Sequence, residues 1–462
     1  MKKALEWSSV DVSSYACLRD PETLRIINAD FGHLTAGNAY GVVTPVSSEA
    51  LQTLVQTAYQ SALPITIRGA GMSQSGQSIG IHQSLVINTS GLNKIEQVNT
   101  DTKTIRVQAG VRWGDVMTAT LQQGFTPFVS SLNVDMSVGG LLSVGGLGAS
   151  SHQVGPLINH VTSLDVITGT GEKLHCSTTE HAELFDAVLG GMGRYAIITQ
   201  ATLALRPSKS FVKTYYLLYD NLEKCLSDQR KIVDEKRGDY LEVMCSASLQ
   251  GLRNTDKGRR PFAEWLYPLQ LSFEYDKMAV IEKEALKDLQ YWRCTHAEDN
   301  TSVNFVTRYQ PRFDMMRATG SMELAHPWLE CLLPEAALSA LLPDILRDLP
   351  LWLGDMHRLF HVAKPISPKS AFKVPDSERV VAFAILPMGV PLQFQAQALE
   401  ALTQIHHRLI KAGGKRYVSG WLGMMKPEDW ALHYGKDYAR LLALKDRFDP
   451  RHILTSALFE RG

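Results

Sequence analysis

The chain has 462 residues, of which 45% are apolar and 20% are charged, a composition that excludes a disordered or fibrous protein. Its 47 basic residues balance 47 acidic ones, so no broad positive field is available to bind a nucleic-acid backbone. No window of about 18 uninterrupted apolar residues occurs, which argues against a membrane-spanning helix and a membrane partner. The six cysteines are scattered, without a CxxC pair or zinc spacing. With no apolar leader near the start, these features predict a cytoplasmic protein without a metal site.

The first 205 residues alternate short apolar runs with amphipathic segments, which is the pattern of an α+β unit. The short runs are β-branched and bounded by turn residues, and they predict strands over 63–67, 84–88, 104–108, 161–167 and 172–176. Apolar residues at three- and four-residue spacing predict helices over 47–61, 113–123 and 181–189.

A second domain is predicted to begin near Ser208, where the glycine content falls and charged helices appear. The predicted elements of this part are helices over 277–292, 334–349 and 391–412 and strands over 269–275 and 379–386. Pro343 predicts a break or kink in its helix. The tail over 430–459 is predicted to be helical, then apolar, and to pack back on the body. We therefore predict three parts, over 1–205, 206–414 and 415–462.

Glycine is the most informative residue of the first part. Of the 55 residues from Gly139 to Gly193, 11 are glycine, which indicates that something approaches this backbone closely. An earlier loop, Arg68 to Gln77, follows a predicted strand and contains three glycines, so its free backbone N–H groups suit a diphosphate. It matches neither the Walker loop nor the GxGxxG spacing, and a generic turn is the alternative for this loop alone.

Two further glycine segments lie at 137–148 and 189–199. Three segments that permit close approach within one domain predict a large, extended ligand.

Together these segments resemble the flavoproteins of the vanillyl-alcohol oxidase and p-cresol methylhydroxylase type, and within them the cytokinin dehydrogenases. The glycine loops are similar to the FAD segments of the whole superfamily. The His326–Leu329 segment and the tail, including Phe448–Pro450, are similar to features of the cytokinin branch.

The resemblance implies an α+β fold: a two-part, PCMH-type FAD-binding domain with its core at about 36–207, clasped by the tail, and a separate α+β substrate-binding domain over the isoalloxazine. By this resemblance the cofactor-binding residues are Arg68, Gly69, Ala70, Gly71, Met72, Ser73, Gly76, Gln77, Val138, Gly139, Gly140, Ser143, Gly193 and Ile198.

The first loop departs from these relatives where the flavin is attached. The family motif Gly-His-Gly-His-Ser has its histidines at the positions of Ala70 and Met72, and a thioether cannot form the covalent histidyl link. Other branches add a cysteine link before the second glycine segment, yet no cysteine lies between Cys17 and Cys176. We therefore expect non-covalently bound FAD with a lowered oxidising power.

The expected catalytic aspartate is also missing, because Leu132 stands at its position. Asp135 would need a bend near Asn133 to reach the same face, and local backbone hydrogen bonding is its alternative role. Glu242 matches the glutamate at the family's substrate entrance. Tyr417 matches a tyrosine beside the isoalloxazine, with a packed core aromatic as the alternative. The resemblance thus makes Asp135, Glu242 and Tyr417 the candidate catalytic residues.

Other residues are interpreted as structural or as altered contacts. His152 and His326 are expected to be satisfied structural histidines rather than bases. In the tail, 454–457 replaces the family's Pro-Gly-Gln, which removes a glutamine contact to the cofactor.

These features predict an FAD-dependent oxidoreductase that takes a hydride from a CH–NH or CH–OH group of a small organic substrate. Oxygen or a quinone is the expected electron acceptor. One alternative is a cytokinin dehydrogenase that uses Glu242 and a displaced base. Another is a flavin-binding protein without catalysis, whose FAD no panel of amines, alcohols and lactones would reduce.

Overall fold

The computed structural model describes residues 6–10, 15–256, 258–277, 282–353, 356–364, 366–367 and 369–459. The N-terminal part contains two sheets. A parallel sheet has the order β1-β3-β2 and consists of β1 (Gly41–Val43), β2 (Ile65–Arg68) and β3 (Leu85–Asn88). An antiparallel sheet has the order β4-β8-β6-β7, with β5 also paired to β8, and consists of β4 (Thr104–Gln108), β5 (Phe125–Pro127), β6 (Val161–Thr168), β7 (Lys173–Ser177) and β8 (Ala196–Pro207).

Helices connect and cover these two sheets. They are α1 (Pro21–Ile27), α2 (Ser48–Ser61), α3 (Trp113–Leu121), α4 (Val138–Val144), α5 (Ser151–Val154) and α6 (Ala182–Val188). Ser47 begins α2 by accepting a hydrogen bond from the Ala50 N–H at 3.1 Å, and Leu51, Leu54 and Ala58 form its buried stripe. The second glycine segment becomes α4, which Ser137 caps.

The second part is one antiparallel sheet of eight strands in the order β12-β9-β11-β10-β14-β15-β13-β16. The strands are β9 (Phe211–Tyr219), β10 (Tyr240–Thr255), β11 (Gly258–Tyr275), β12 (Arg293–Thr301), β13 (Leu329–Pro334), β14 (His357–Val362), β15 (Val380–Ile385) and β16 (Lys415–Arg416). Its helices are α7 (Leu222–Asp234), α8 (Glu282–Ala285), α9 (Ser302–Val306), α10 (Gln310–Ala318), α11 (Glu335–Asp348) and α12 (Leu392–Lys411). The tail follows with α13 (Pro427–Tyr434) and α14 (Tyr438–Phe448).

The two faces of the eight-stranded sheet have different partners, as the period of two in a strand requires. Leu359 and Phe383 point into a core shared with α7, α11 and α12. Phe360 and Ala382 point to the opposite face and pack in the core of the N-terminal part. This second face therefore forms the roof of the N-terminal domain.

Most predicted elements are present, and two differ. Pro343 lies inside a continuous α11, because Leu338, Leu342 and Ile345 are fully buried and packing holds both halves in line. Of the predicted helix over 277–292, only α8 is helical, while 278–281 lies outside the described residues. No helix in the described ranges is long and apolar enough to cross a membrane.

Candidate active site

A cleft, here called the outer cleft, runs along the loop after β2, helix α4 and the start of β8. The tail completes its wall. The predicted cofactor residues that line it are Gly69, Ala70, Gly71, Met72, Ser73, Gln77, Gly139, Gly140, Ser143, Gly193 and Ile198. Most of the predicted residues are thus brought together around one space.

Three of the predicted cofactor residues do not line the cleft. The Arg68 guanidinium donates to the carbonyl oxygen of Ala29 at 2.8 Å and fixes the preceding segment. Gly76 donates its N–H to Oδ2 of Asp30 at 2.9 Å, and Val138 is fully buried. These residues shape the loops from behind.

Asp30 organises the glycine loop from beneath. Its carboxylate accepts hydrogen bonds from Ser73 Oγ at 2.8 Å and from the N–H groups of Gly76 and Gly32 at 2.9 and 3.1 Å. Burial raises the pKa of Asp30, and the hydrogen bonds from Ser73 and Gly76 oppose that shift by favouring the ionised form. The loop is therefore fixed in shape before any ligand arrives.

The outer cleft offers the donors that a dinucleotide needs. Among the described residues, no group accepts a hydrogen bond from the backbone N–H groups of Ala70, Gly71 or Met72. Arg194 adds a cation to the wall, where its Cζ lies 4.3 Å from the ring centroid of Phe459. Free N–H groups beside a guanidinium suit a diphosphate. These residues fit FAD.

The tail reaches the cleft by pairing with β2. The Ile65 N–H donates to the carbonyl of Ile453 at 2.8 Å, and the Thr455 N–H donates to the carbonyl of Ile65 at 2.9 Å. This pairing places Leu454, Thr455 and Ser456 in the cleft wall. This stretch of the tail therefore lies against the first parallel sheet.

A second space, here called the inner cavity, lies between the glycine loop and the roof strands. Met72, Met136 and Ser419 line both spaces, so the two meet at these residues. Leu132 lies in the inner wall and belongs to an apolar cluster with Phe31. The cavity therefore has an apolar side chain where the resemblance expects a carboxylate.

Glu242 does not line either space. It is 2% exposed on β10, and Arg358 Nε donates to its Oε2 at 2.9 Å while Arg308 Nη2 donates to its Oε1 at 3.1 Å. Tyr309 also donates to Oε1. Burial by itself would raise the pKa of Glu242, but the two guanidinium charges and the hydrogen bonds lower it to about 2. It is Arg358 that lines the inner cavity.

The other two candidate catalytic residues lie apart from each other. Tyr417 is buried in the wall of the inner cavity, where burial raises the pKa of its phenol. Asp135 lines neither space: its side chain accepts from Arg317, and its N–H donates to Oδ1 of Asn133 at 2.9 Å. The structure therefore does not bring Asp135 to the cavity, and its role as a base stays a prediction.

Neither of the two histidines weighed from the sequence lines the cavity. The ring of His152 bonds to the carbonyl of Ala149 at 2.8 Å, and burial lowers its pKa to about 4. His326 bridges the carbonyls of Phe31 and Met388 at 2.9 and 3.0 Å. Both contacts are structural.

Comparison with known proteins agrees with this geometry. Residues 39–177 match the FAD binding domain model, and residues 209–457 match the model described as cytokinin dehydrogenase 1, FAD and cytokinin binding. The chain belongs to the cytokinin dehydrogenase family of FAD-dependent oxidoreductases.

Similar proteins match along almost the whole chain. An uncharacterized oxidoreductase, ORF5 in the fasciation locus of Rhodococcoides fascians, is 30% identical over 94% of this chain and 96% of its own length. Cytokinin dehydrogenase 5 of Arabidopsis thaliana is 27% identical over 98% and 89%. Cytokinin dehydrogenase 5 of Oryza sativa subsp. japonica is 28% identical over 95% and 89%.

Sequence reasoning missed several polar residues of this cytokinin dehydrogenase family member. Arg194 lines the outer cleft, Arg358 and Glu330 line the inner cavity, and Ser419 lines both. One signal was available for Glu330, because it is a lone carboxylate in the apolar run 327–333. The sequence around the two arginines and the serine gave no comparable signal.

Proposed function

We propose that this FAD-dependent oxidoreductase removes a hydride from the carbon of a CH–NH or CH–OH group in a small organic substrate. FAD, when bound, supplies the hydride acceptor. The proposal is carried by the junction at Met72, Met136 and Ser419, the residues that line both the cofactor cleft and the inner cavity. A substrate in that cavity lies against the cofactor cleft, and such positioning supplies much of the rate enhancement of a two-reactant step.

The walls of the inner cavity favour a substrate with a substantial apolar part. Phe31, Leu132, Trp328 and Phe360 line it. The side chains of Arg358 and Glu330 are the charged groups among the described residues that line it. We infer that these side chains hold the apolar body of the substrate while the oxidisable carbon lies near the junction.

We further propose that FAD is bound without a covalent link, since the residue at the attachment position of the loop is Met72. Burial and the donors of the outer cleft then supply the affinity. Acid precipitation of the yellow holoprotein tests this: the flavin is expected in the supernatant. A yellow pellet would overturn the proposal.

Oxidation of a cytokinin is the second candidate, favoured by the family model that matches 209–457. We place it second because the Glu242 carboxylate is held by Arg308 and Arg358 and is not available to a substrate. Anaerobic mixing with isopentenyladenine separates the two functions. Rapid loss of the visible flavin band would support cytokinin oxidation, whereas bleaching only by other amines or alcohols would support the main proposal.

A control with dithionite keeps this experiment decisive. Flavin that dithionite reduces, but that isopentenyladenine and a panel of amines, alcohols and lactones leave oxidised, would contradict both functions and favour a flavin-binding protein without catalysis. We propose that the electron acceptor is oxygen or a quinone. Reoxidation of the reduced protein by air or by an added quinone then identifies it.

We also propose a cytoplasmic location, which the six free thiols support.

A further inference from the structure

Glu330 is the second residue of β13 and lies on the roof of the inner cavity. Across the sheet it pairs with Ala384 of β15, which in turn pairs with Arg358 of β14. Two strand spacings put the Cα atoms of Glu330 and Arg358 about 10 Å apart on the same face. The small side chain of Ala384 between them leaves both charged groups open to the cavity.

Among the described residues, only one of the two carboxylate oxygens of Glu330 has a hydrogen-bond donor. Ser419 donates its hydroxyl to Oε2 of Glu330. In the described part of the chain no group donates a hydrogen bond to the other oxygen, Oε1. Because Ser419 also lines the outer cleft, the carboxylate lies one side chain away from the junction with the cofactor cleft. A free acceptor oxygen is therefore present where a substrate meets the cofactor.

The charged and titratable groups that face Glu330 come from three elements. Arg358 of β14 lies on the same face of the sheet, two strands away, and is paired with Glu242. Arg416 of β16 donates Nε to the backbone carbonyl of Glu330 at 3.0 Å rather than to its carboxylate. Two neutral groups complete the set: Tyr417, and the Cys331 thiol, which donates to the carbonyl of Lys415 at 3.3 Å.

This environment adjusts the acidity of Glu330. Burial raises its pKa to about 7, while Ser419, Arg358 and Arg416 hold it from rising further. A base works best when its pKa is near the operating pH, and this one is poised there. By contrast, Glu242 stays ionised and Tyr417 stays protonated near neutral pH.

We propose that Glu330 is the catalytic base that accepts the N–H or O–H proton of the substrate, in place of the carboxylate absent at Leu132. The proposal rests on the proposed function. In the step, the C–H bond breaks and its electron pair leaves with the hydrogen to FAD. The N–H or O–H bond breaks, its proton goes to Oε1 of Glu330, and its electrons form the C=N or C=O bond. The substrate loses two electrons, which oxygen or a quinone later removes from the cofactor.

The test compares holoenzymes carrying Glu330→Gln, Glu330→Asp and the exposed control Glu172→Gln with the unmodified protein. Each is mixed anaerobically with whichever of isopentenyladenine and the amine and alcohol panel reduces the wild-type flavin. Loss of a general base lowers the rate by about 10²–10⁴-fold, so we expect Glu330→Gln to slow flavin bleaching by that factor and to lose the inflection near pH 7. Glu330→Asp is expected to keep part of the rate, and Glu172→Gln all of it. Bleaching of Glu330→Gln at the wild-type rate would overturn the proposal.

Ser419→Ala provides a variant that keeps the carboxylate. Removing the hydrogen bond to the ionised form raises the pKa of Glu330, so we expect the inflection of the pH–rate profile to move to higher pH. An unmoved inflection would contradict the assignment. This shift separates a base from a residue that is needed only for folding.

A second readout does not depend on any substrate. Infrared difference spectra of the FAD-loaded protein, taken across neutral pH, are expected to show a carboxylic-acid band that titrates near pH 7 and is missing in Glu330→Gln. Its absence from the wild-type protein would overturn the proposal by itself. If the band is present but no substrate bleaches the flavin, the proposed function has failed while the proton-holding property of Glu330 stands.

Discussion

Lys445 and Asp449 form a buried ion pair at the end of α14. The Lys445 ammonium also donates to the carbonyls of Arg194 and Leu454, both at 3.0 Å. The Asp449 carboxylate accepts from the N–H groups of Ile453 and Leu454 at 3.0 and 2.9 Å. Because Arg194 and Leu454 line the outer cleft, this pair holds two of its walls together.

Asp449→Asn is therefore expected to loosen the tail. Breaking a buried ion pair leaves one charge uncompensated and costs about 3–5 kcal/mol of unfolding free energy. Urea unfolding measures that loss, and fluorescence titration with FAD is expected to show weaker binding. The control is Arg447→Gln, which removes an exposed pair with Glu183 and is expected to change stability by less than about 1 kcal/mol. Equal effects of the two variants would contradict this role of the tail.

Met72→His tests the placement of the glycine loop. Met72 lines both the outer cleft and the inner cavity, and the resemblance puts the flavin-linking histidine at this position. We expect the variant to acquire flavin that stays with the protein through acid precipitation, and Met72→Leu to release its flavin. Release from both variants would argue against this placement.

Gly69→Ala is expected to weaken FAD binding by at least about tenfold, the equivalent of 1.4 kcal/mol. A Cβ at Gly69 would lie 2.1 Å from Ser137 Oγ, which caps α4 at the wall of the cleft. Ser137 would have to move, and its movement would disturb the second glycine segment, 137–148, on the other side of the cleft. Gly124→Ala is the matched control, since its φ of +78° strains the backbone without any neighbour within 4 Å. It is expected to lower stability and leave FAD affinity unchanged.

Acid is expected to destabilise the protein through its buried histidines. Burial lowers the pKa of His152, His326 and His357 to about 4. It lowers the pKa of His406 and His433 to about 3. In the unfolded chain these groups bind protons below about pH 6.5, so the native state loses up to about 1.4 kcal/mol per pH unit for each as pH falls. Glu330, Asp30 and Asp239, whose pKa values are raised by burial, act in the opposite direction, but they are fewer than the five histidines.

Urea unfolding between pH 6.5 and pH 4 measures this slope. His357→Phe removes one titrating ring from a site packed on Trp265, at a ring-centroid distance of 5.6 Å. We expect a shallower decline than in the wild type. An unchanged decline would mean that this ring titrates freely in the native state.

The sequence predicted much of this fold because local patterns and tertiary packing agree. The buried stripe of α2 repeats at three- and four-residue spacing, β4 alternates buried apolar and exposed polar residues, and β15 is a continuous apolar run. Pro343 was misleading, since packing of Leu342 and Ile345 outweighs the lost hydrogen bond of a helix-interior proline. The order of eight strands in the second sheet involves pairings between distant segments, which no local pattern contains.

The candidate site also combines residues that a local pattern predicts with residues that only the folded structure brings together. Glycine loops can be recognised in the sequence, because only small residues let a ligand approach the backbone closely. The first loop and Gly139 were therefore found. Glu330 and Arg358 come close to each other only because β13 and β14 pair on either side of β15. The sequence gives no signal for the role of Asp30, although its hydrogen bonds hold the loop. Such roles depend on three-dimensional neighbours and are invisible along one chain.

Most of the wall of the outer cleft comes from four stretches of chain, around 67–78, 136–144, 192–198 and 454–459. A ligand that touches all four resists their separation, so by mass action FAD at a hundredfold excess over its Kd adds about 2.7 kcal/mol to the unfolding free energy. We expect the thermal midpoint to climb as the flavin is titrated in. In a flavin-starved cell, the same linkage would leave more of this chain open to proteases and lower its abundance.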